Sequence, residues 1–152
     1  MTNKKIWLGM LAIVLVFGMM IISCKDDEIN ILDEINYKTG NPSSEFLNIS
    51  GLNQSQYSQI VTAAGGGFKG WALIEGDGYS EASMAWTGRS KTNFYSVANA
   101  LKTIFGTEQQ SDEDDGWYSF YDDSYYLEFW SEKMSEGGYY VPAGAMMLSF
   151  QN

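Results

Sequence analysis

A run of seventeen uncharged residues, Ile6 to Ile22, limits what this 152-residue chain can fold into. It follows Lys4 and Lys5 and ends at Ser23, directly before Cys24, the only cysteine. A basic start, an apolar stretch and a small residue, in that order, are typical of a signal peptide that is removed after export. The run is also about the minimum length for a membrane span, so an uncleaved anchor is an alternative, as is a simple secretory signal. We therefore expect the fold to be built from residues after Cys24.

The four residues Ile21-Ile22-Ser23-Cys24 resemble the lipobox of bacterial lipoproteins. The resemblance covers residues 1–24 alone. It implies that residues 1–23 are cleaved and that Cys24 carries the lipid, usually three acyl chains. One acyl chain binds a membrane only marginally, whereas several make attachment effectively permanent. The resemblance thus implies a protein of the cell envelope, anchored on the exported side of a bacterial membrane, with the choice between inner and outer membrane open.

The charge and the missing residue types exclude several functions. The chain has a net charge of −10, and loss of Lys4 and Lys5 would take it to about −12. Such an acidic chain repels phosphate backbones, so nucleic-acid binding is not expected. The sequence contains no histidine, which excludes a Ser-His-Asp triad and a zinc site with imidazole ligands. No cofactor is predicted, because the glycine-rich stretch 65–70 has a helix before it and a strand after it, the reverse of a dinucleotide site.

The chain after the signal peptide divides by composition at about residue 45. Residues 24–45 are polar and end in a cluster of chain-breaking residues, Gly40 to Ser44, so we predict an acylated N-terminus and a flexible tether. The alternative is a short amphipathic helix that uses the aliphatic residues between Ile29 and Ile35. Residues 46–152 are predicted to form a single globular domain of α+β class.

Two helices and a set of strands are predicted within that domain. One helix follows the N-cap residue Asn53 and stops near Gly65, and the other covers residues 91–105 between Ser90 and Gly106. Strands are predicted at 46–49, 71–75, 81–87, 117–121, 125–130, 139–141 and 145–150. The pattern favours an antiparallel sheet with both helices on one face. Its order is compatible with a ferredoxin-like β-α-β-β-α-β fold plus extra C-terminal strands.

The aromatic strands near the C-terminus are the predicted ligand-binding surface. Alternation over 125–130 puts Tyr126, Glu128 and Trp130 on one strand face, and the glutamate marks that face as the wetter one. We therefore expect Tyr126 and Trp130 to be partly exposed, with Tyr118 beside them from the neighbouring strand. Exposed Tyr and Trp on a rigid sheet are common recognition anchors. The alternative is that a further layer covers them as a second small core.

The acidic segment around residue 112 is a weak candidate for calcium. The candidate ligands are Asp112, Asp114, Asp115 and Asp122, although alignment with a calcium loop would make Ser111 the first ligand and Glu113 the third. The flanking patterns do not suggest two helices, so a solvated acidic loop is the preferred interpretation and no metal site is predicted.

These observations predict a non-enzymatic, lipid-anchored binding module for a protein or glycan partner. One alternative is an inhibitor-like or structural envelope lipoprotein. Another is a carboxylate-based hydrolase, although the spacing singles out no pair of acids.

Overall fold

The computed structural model describes residues 27–76 and 78–151. The predicted signal peptide and Cys24 lie outside the described residues. Within the described part, no helix is long and apolar enough to span a membrane.

The described residues form four helices and nine strands, which confirms the predicted α+β class. The helices are α1 (Ile31–Glu34), α2 (Ser44–Ser50), α3 (Gln54–Ala63) and α4 (Lys91–Phe105). The strands are β1 (Ile29–Asn30), β2 (Phe68–Gly76), β3 (Tyr79–Trp86), β4 (Gln110–Asp114), β5 (Trp117–Tyr121), β6 (Tyr125–Trp130), β7 (Met134–Glu136), β8 (Tyr139–Val141) and β9 (Ala145–Gln151).

Six of the strands form one antiparallel sheet in the order β2-β3-β9-β6-β5-β4. The last strand, β9, therefore lies inside the sheet, between β3 and β6, and joins the two halves of the chain. The ferredoxin-like order is compatible with the mixed architecture but is not confirmed by it.

Three helices cover one face of this sheet, and the main core lies between them. The apolar stripe of α4 contributes Phe94, Val97 and Leu101, all buried. From the sheet, alternate residues of β6 and β9 point into the same core, among them Leu127 and Leu148. Both α3 and α4 begin with a capping box, in which the side chains of Asn53 and Ser90 accept a hydrogen bond from the backbone N–H three residues further on, as the sequence predicts for these N-caps.

The predicted strand at residues 46–49 is wrong, because this segment is the helix α2. The Ser43 side chain accepts a hydrogen bond from the Phe46 amide at 3.1 Å, and Gly51 ends the helix in a left-handed conformation. Phe46 is buried against Tyr57 and Phe150. Residues 46–49 resemble a short strand in sequence. The N-cap and the burial of Phe46 nevertheless make this segment a helix.

The opposite face of the sheet is covered by a second layer. This layer contains the N-terminal segment up to Lys38 and a small sheet in the order β1-β8-β7. Leu32 has 0% exposure, and it packs in a second core with Trp130 and Met147 of the large sheet. In residues 27–45 the structure thus shows a packed segment where the sequence predicts a flexible tether. Its aliphatic residues are few, but a second apolar sheet face is available to bury them.

Gly70 allows the N-terminal segment to join the edge of the large sheet. Lys38 and Trp71 exchange two backbone hydrogen bonds, at 2.7 and 2.9 Å. A Cβ at residue 70 would lie 2.5 Å from the Lys38 carbonyl oxygen, and the φ of Gly70 is +145°. Only glycine accommodates both conditions, so Gly70 and the N-terminal segment fit together.

Candidate functional site

Strand β6 presents its side chains as the alternation predicts. Tyr125, Leu127 and Phe129 lie in the core on the helix side, while Trp130 belongs to the second core with Tyr126 packed against it. The predicted exposure of this second face is wrong for Trp130, which is only 2% exposed. Tyr126 is partly buried. The alternative, a second small core over these rings, describes Trp130 correctly.

Tyr118 does not join Tyr126 and Trp130. It is paired with Phe129 across β5 and β6, and directly paired residues of neighbouring strands point to the same face. Tyr118 therefore lies on the helix side, where the Lys91 ammonium is 3.9 Å from its ring centroid. Three residues of β5 share the face of Trp130, namely Trp117, Ser119 and Tyr121, the partners of Trp130, Glu128 and Tyr126.

The calcium candidates are not brought together. Asp112 and Asp114 lie on strand β4, which replaces the predicted acidic loop, and Asp115 follows in the turn. Asp122 lies in the turn after β5, beyond Tyr121, and Tyr121 pairs with Gln110 at the far end of β4 from Asp114. Among the described residues, no group of three or more acidic, histidine or cysteine side chains is placed to hold a metal ion.

A partly open cavity of about 160 Å³ lies between the large sheet and the second layer. Trp130, Tyr139 and Tyr140 supply aromatic walls, while Met147 of β9 and Ile31 of α1 supply aliphatic ones. Its volume is similar to that of an engineered apolar cavity of about 150 Å³ that holds benzene. The cavity can therefore accommodate a small group such as one side chain.

Glu128 is the distinctive polar group of this cavity. It lines the wall and is partly buried, and its Oε1 accepts a hydrogen bond from the Trp117 indole N–H at 3.2 Å. Burial raises the pKa of Glu128 to about 7, the hydrogen bond from Trp117 opposes this shift, and the charge of Glu81 adds to it. The carboxyl group is thus poised to change charge near neutral pH.

Further polar groups lie on the same sheet face as Glu128. Glu81 is 8% exposed, and its burial raises the pKa of its carboxyl group. On the next inward position of β3, Ser83 lies 3.4 Å from the Tyr37 hydroxyl. The indole N–H of Trp130 is buried without a hydrogen-bond partner in the described part of the chain. This sheet face therefore carries two carboxyl groups, whereas unpaired indole N–H groups occur in both cores, at Trp130 in this one and at Trp71 and Trp86 in the helix-side core.

Lys133 closes one side of the second layer. It forms an ion pair with Glu28, and its ammonium lies 4.5 Å from the ring centroid of Tyr140. The hydrogen bond from Lys133 holds the pKa of Glu28 below its usual range. Lys133 is not among the residues that line the cavity beside Glu128.

Sequence reasoning missed the cavity and the state of Glu128. It identified Trp130 and Tyr126 as the interesting rings but took Glu128 as a marker of solvent. The missed residues Tyr139, Tyr140 and Met147 lie in other strands, and only the long-range pairing of β9 and the small sheet brings them to Glu128. One available signal was the aliphatic set between Ile29 and Ile35, which already suggested a segment able to cover that face.

No family model, no curated protein and no solved structure matches this chain.

Proposed function

We propose that this chain is a lipid-anchored protein of the bacterial cell envelope whose folded domain binds a protein or glycan partner. The lipobox-like residues before Cys24 support the anchor. The cavity beside Trp130 supports the binding role, because it combines aromatic walls with a buried carboxyl group in a domain that has no histidine. Pockets lined by apolar and aromatic side chains with a few placed polar groups are typical of binding sites.

The observation that carries the binding role is the position of Glu128. A carboxyl group in an apolar environment disfavours its own ionised form, so it destabilises the fold at neutral pH unless a ligand or partner compensates. An apolar residue at the same position would stabilise the second core more. Glu128 is therefore better explained by a recognition role than by packing.

The anchor is tested on the native protein. Mass spectrometry of the N-terminus should show a chain that begins at Cys24 with attached acyl groups. The Cys24→Ser variant should lose attachment and move from the detergent phase to the aqueous phase of a detergent separation. A native chain that still begins at Met1 would contradict the proposed anchor.

The binding role is tested by blocking the cavity in the full-length chain. Ser135 is exposed and lines the cavity, so Ser135→Trp should obstruct it without altering either core. The matched control is Ser96→Trp, an exposed position on α4 at the other side of the sheet. We expect an envelope partner that the native chain and Ser96→Trp capture to be lost with Ser135→Trp. Equal capture by the two variants would contradict a partner site at the cavity.

A further inference from the structure

We propose that the cavity beside Trp130 binds the ammonium group of a lysine side chain of a protein partner, with Glu128 as its counter-ion. This inference rests on the proposed binding function and names the chemistry that the partner presents. It assigns the apolar walls to the lysine stem and the carboxyl group to the charged end.

The charges around the cavity favour a cation. Two carboxylates, Glu128 and Glu136, line it, and no basic side chain of the described residues does so. Lys133, a basic group of the second layer, pairs with Glu28 and lies over the ring of Tyr140. An ammonium group that enters the cavity would therefore meet a carboxyl group without a competing protein cation, and the pair would form away from bulk water.

The walls fit the remainder of a lysine side chain. Its four-carbon stem is apolar and needs contacts such as those offered by Ile31, Val141 and Met147. The Trp130 ring lines the same cavity, and indole faces attract ammonium groups more strongly than other aromatic rings do. A volume of about 160 Å³ is enough for one such side chain.

The net charge of the chain favours the same partner. At −10 overall, the chain attracts basic proteins and repels acidic ones over several ångströms of solvent. Long-range attraction would bring a basic surface to the domain, and the cavity would select a lysine on that surface.

The titration of Glu128 gives the inference a pH signature. Binding of a cation requires the ionised carboxylate, and burial raises the pKa of Glu128 to about 7. The other titratable groups that influence it are Glu81 and Tyr126, while Glu136, Tyr139 and Tyr140 line the cavity with it. Affinity for an ammonium ligand should therefore rise between pH 6 and pH 8, the opposite of what a protonated Glu128 acting as a donor would produce.

The test uses the full-length chain and two matched tripeptides. One is acetyl-Gly-Lys-Gly-amide, and the other carries norleucine, which has the same stem without the ammonium group. Binding is followed by nuclear magnetic resonance of the Trp130 indole N–H, assigned with the Trp130→Phe variant. We expect the lysine peptide to shift this signal, and the norleucine peptide to bind at least about tenfold more weakly.

Two substitutions complete the test. Glu128→Gln keeps the size of the side chain and should weaken the lysine peptide at least about tenfold, whereas Glu132→Gln, an exposed acid outside the cavity, should leave its affinity unchanged. Equal affinity for the two peptides, or no loss with Glu128→Gln, would overturn the inference. Binding of n-butylamine without binding of the lysine peptide would also overturn it, in favour of a free amine. If Ser135→Trp still abolishes partner capture in those cases, the proposed binding function stands without the lysine.

Discussion

At the scale of single residues, Glu128 connects the stability of the fold with its proposed role. Its side chain lines the sheet side of the cavity among mostly apolar residues, opposite α1 and the small sheet. The only hydrogen bond that the described residues show for this group comes from Trp117. Residues that oppose stability in this way are commonly found where a protein binds or reacts.

The first prediction concerns the pH dependence of stability. Because the pKa of Glu128 is near 4.5 in the unfolded chain and about 7 in the fold, the unfolded state loses this proton first as pH rises. Below about pH 4.5 Glu128 is protonated in both states and does not reduce the free energy of unfolding. As the pH rises from there to about 7, the free energy of unfolding falls. Glu128→Gln should therefore stabilise the fold by about 1–3 kcal/mol at pH 8 and change it little at pH 4.

Urea unfolding at the two pH values measures this difference. Glu132→Gln is the control, since an exposed acid of the same hairpin should change the free energy of unfolding by less than about 0.5 kcal/mol. A destabilised Glu128→Gln variant at pH 8 would show instead that the ionised carboxylate is paired within the fold.

The second prediction concerns Gly70. Gly70→Ala should destabilise the fold by about 1–3 kcal/mol, because the new Cβ meets the Lys38 carbonyl and the backbone conformation is strained. Gly78→Ala is the control: its φ is also positive, +85°, but nothing lies within 4 Å of the new Cβ. Thermal unfolding of both variants separates the clash from the strain. Equal losses would mean that the approach of Lys38 contributes nothing.

At the scale of secondary-structure elements, the bounds were predicted correctly where several local sequence signals agree. The helix at 91–105 and the strands at 117–121 and 125–130 have the predicted bounds, because caps, turns and apolar spacing agree there. The failures have both local and tertiary causes: the cap at Ser43 favours a helix over residues 46–49, and sheet pairing makes a strand of the acidic segment. Strand β4 is acidic and forms only by pairing with β5 at the sheet edge, where charges also discourage further pairing.

The candidate site was predictable only in part, for the same reason. Alternation assigns Trp130 and Glu128 to one face, but it does not say what covers that face. The cover comes from α1 and β8, which are more than one hundred residues apart in sequence and come together beside the parallel pairing of β1 with β8. From its composition alone, this mostly polar segment is predicted to be a tether. Its packing follows only from the apolar sheet face that it covers.

The third prediction follows from the position of α1. Leu32→Ala should reduce the free energy of unfolding by about 2–5 kcal/mol, because Leu32 is fully buried in the second core. Ile29→Ala, in the same segment but only partly buried, should cost clearly less. Chemical denaturation of both variants provides the measurement. A flexible tether would make the two substitutions equally harmless, so that result would contradict the structure of this segment.

At the scale of the whole molecule, the packed N-terminal segment shortens the link between the proposed anchor and the fold. Strand β1 begins at Ile29, five residues after Cys24. A fully extended chain spans at most about 3.6 Å per residue, so Ile29 lies within about 18 Å of Cys24, the proposed site of acylation. Ile29 pairs with Tyr139, a residue of the cavity wall. The lipid would therefore hold the small sheet, and the cavity with it, close to the bilayer, while α4 lies on the far side of the large sheet.

The last prediction is this orientation, and a fluorescence experiment measures it. With Cys24 acylated, Ser135→Cys and Ser96→Cys each introduce a single free thiol, one on β7 beside the cavity and one on α4. In phosphatidylcholine vesicles that carry a nitroxide on the headgroup, a fluorophore at residue 135 should be quenched more than one at residue 96, because one sheet and a helix layer, each about 10 Å thick, separate the two sites. Stronger quenching at residue 96 would place the helices at the membrane. In that case the partner would have to approach the cavity from the side facing away from the bilayer, and the short link would no longer restrict which proteins can reach it.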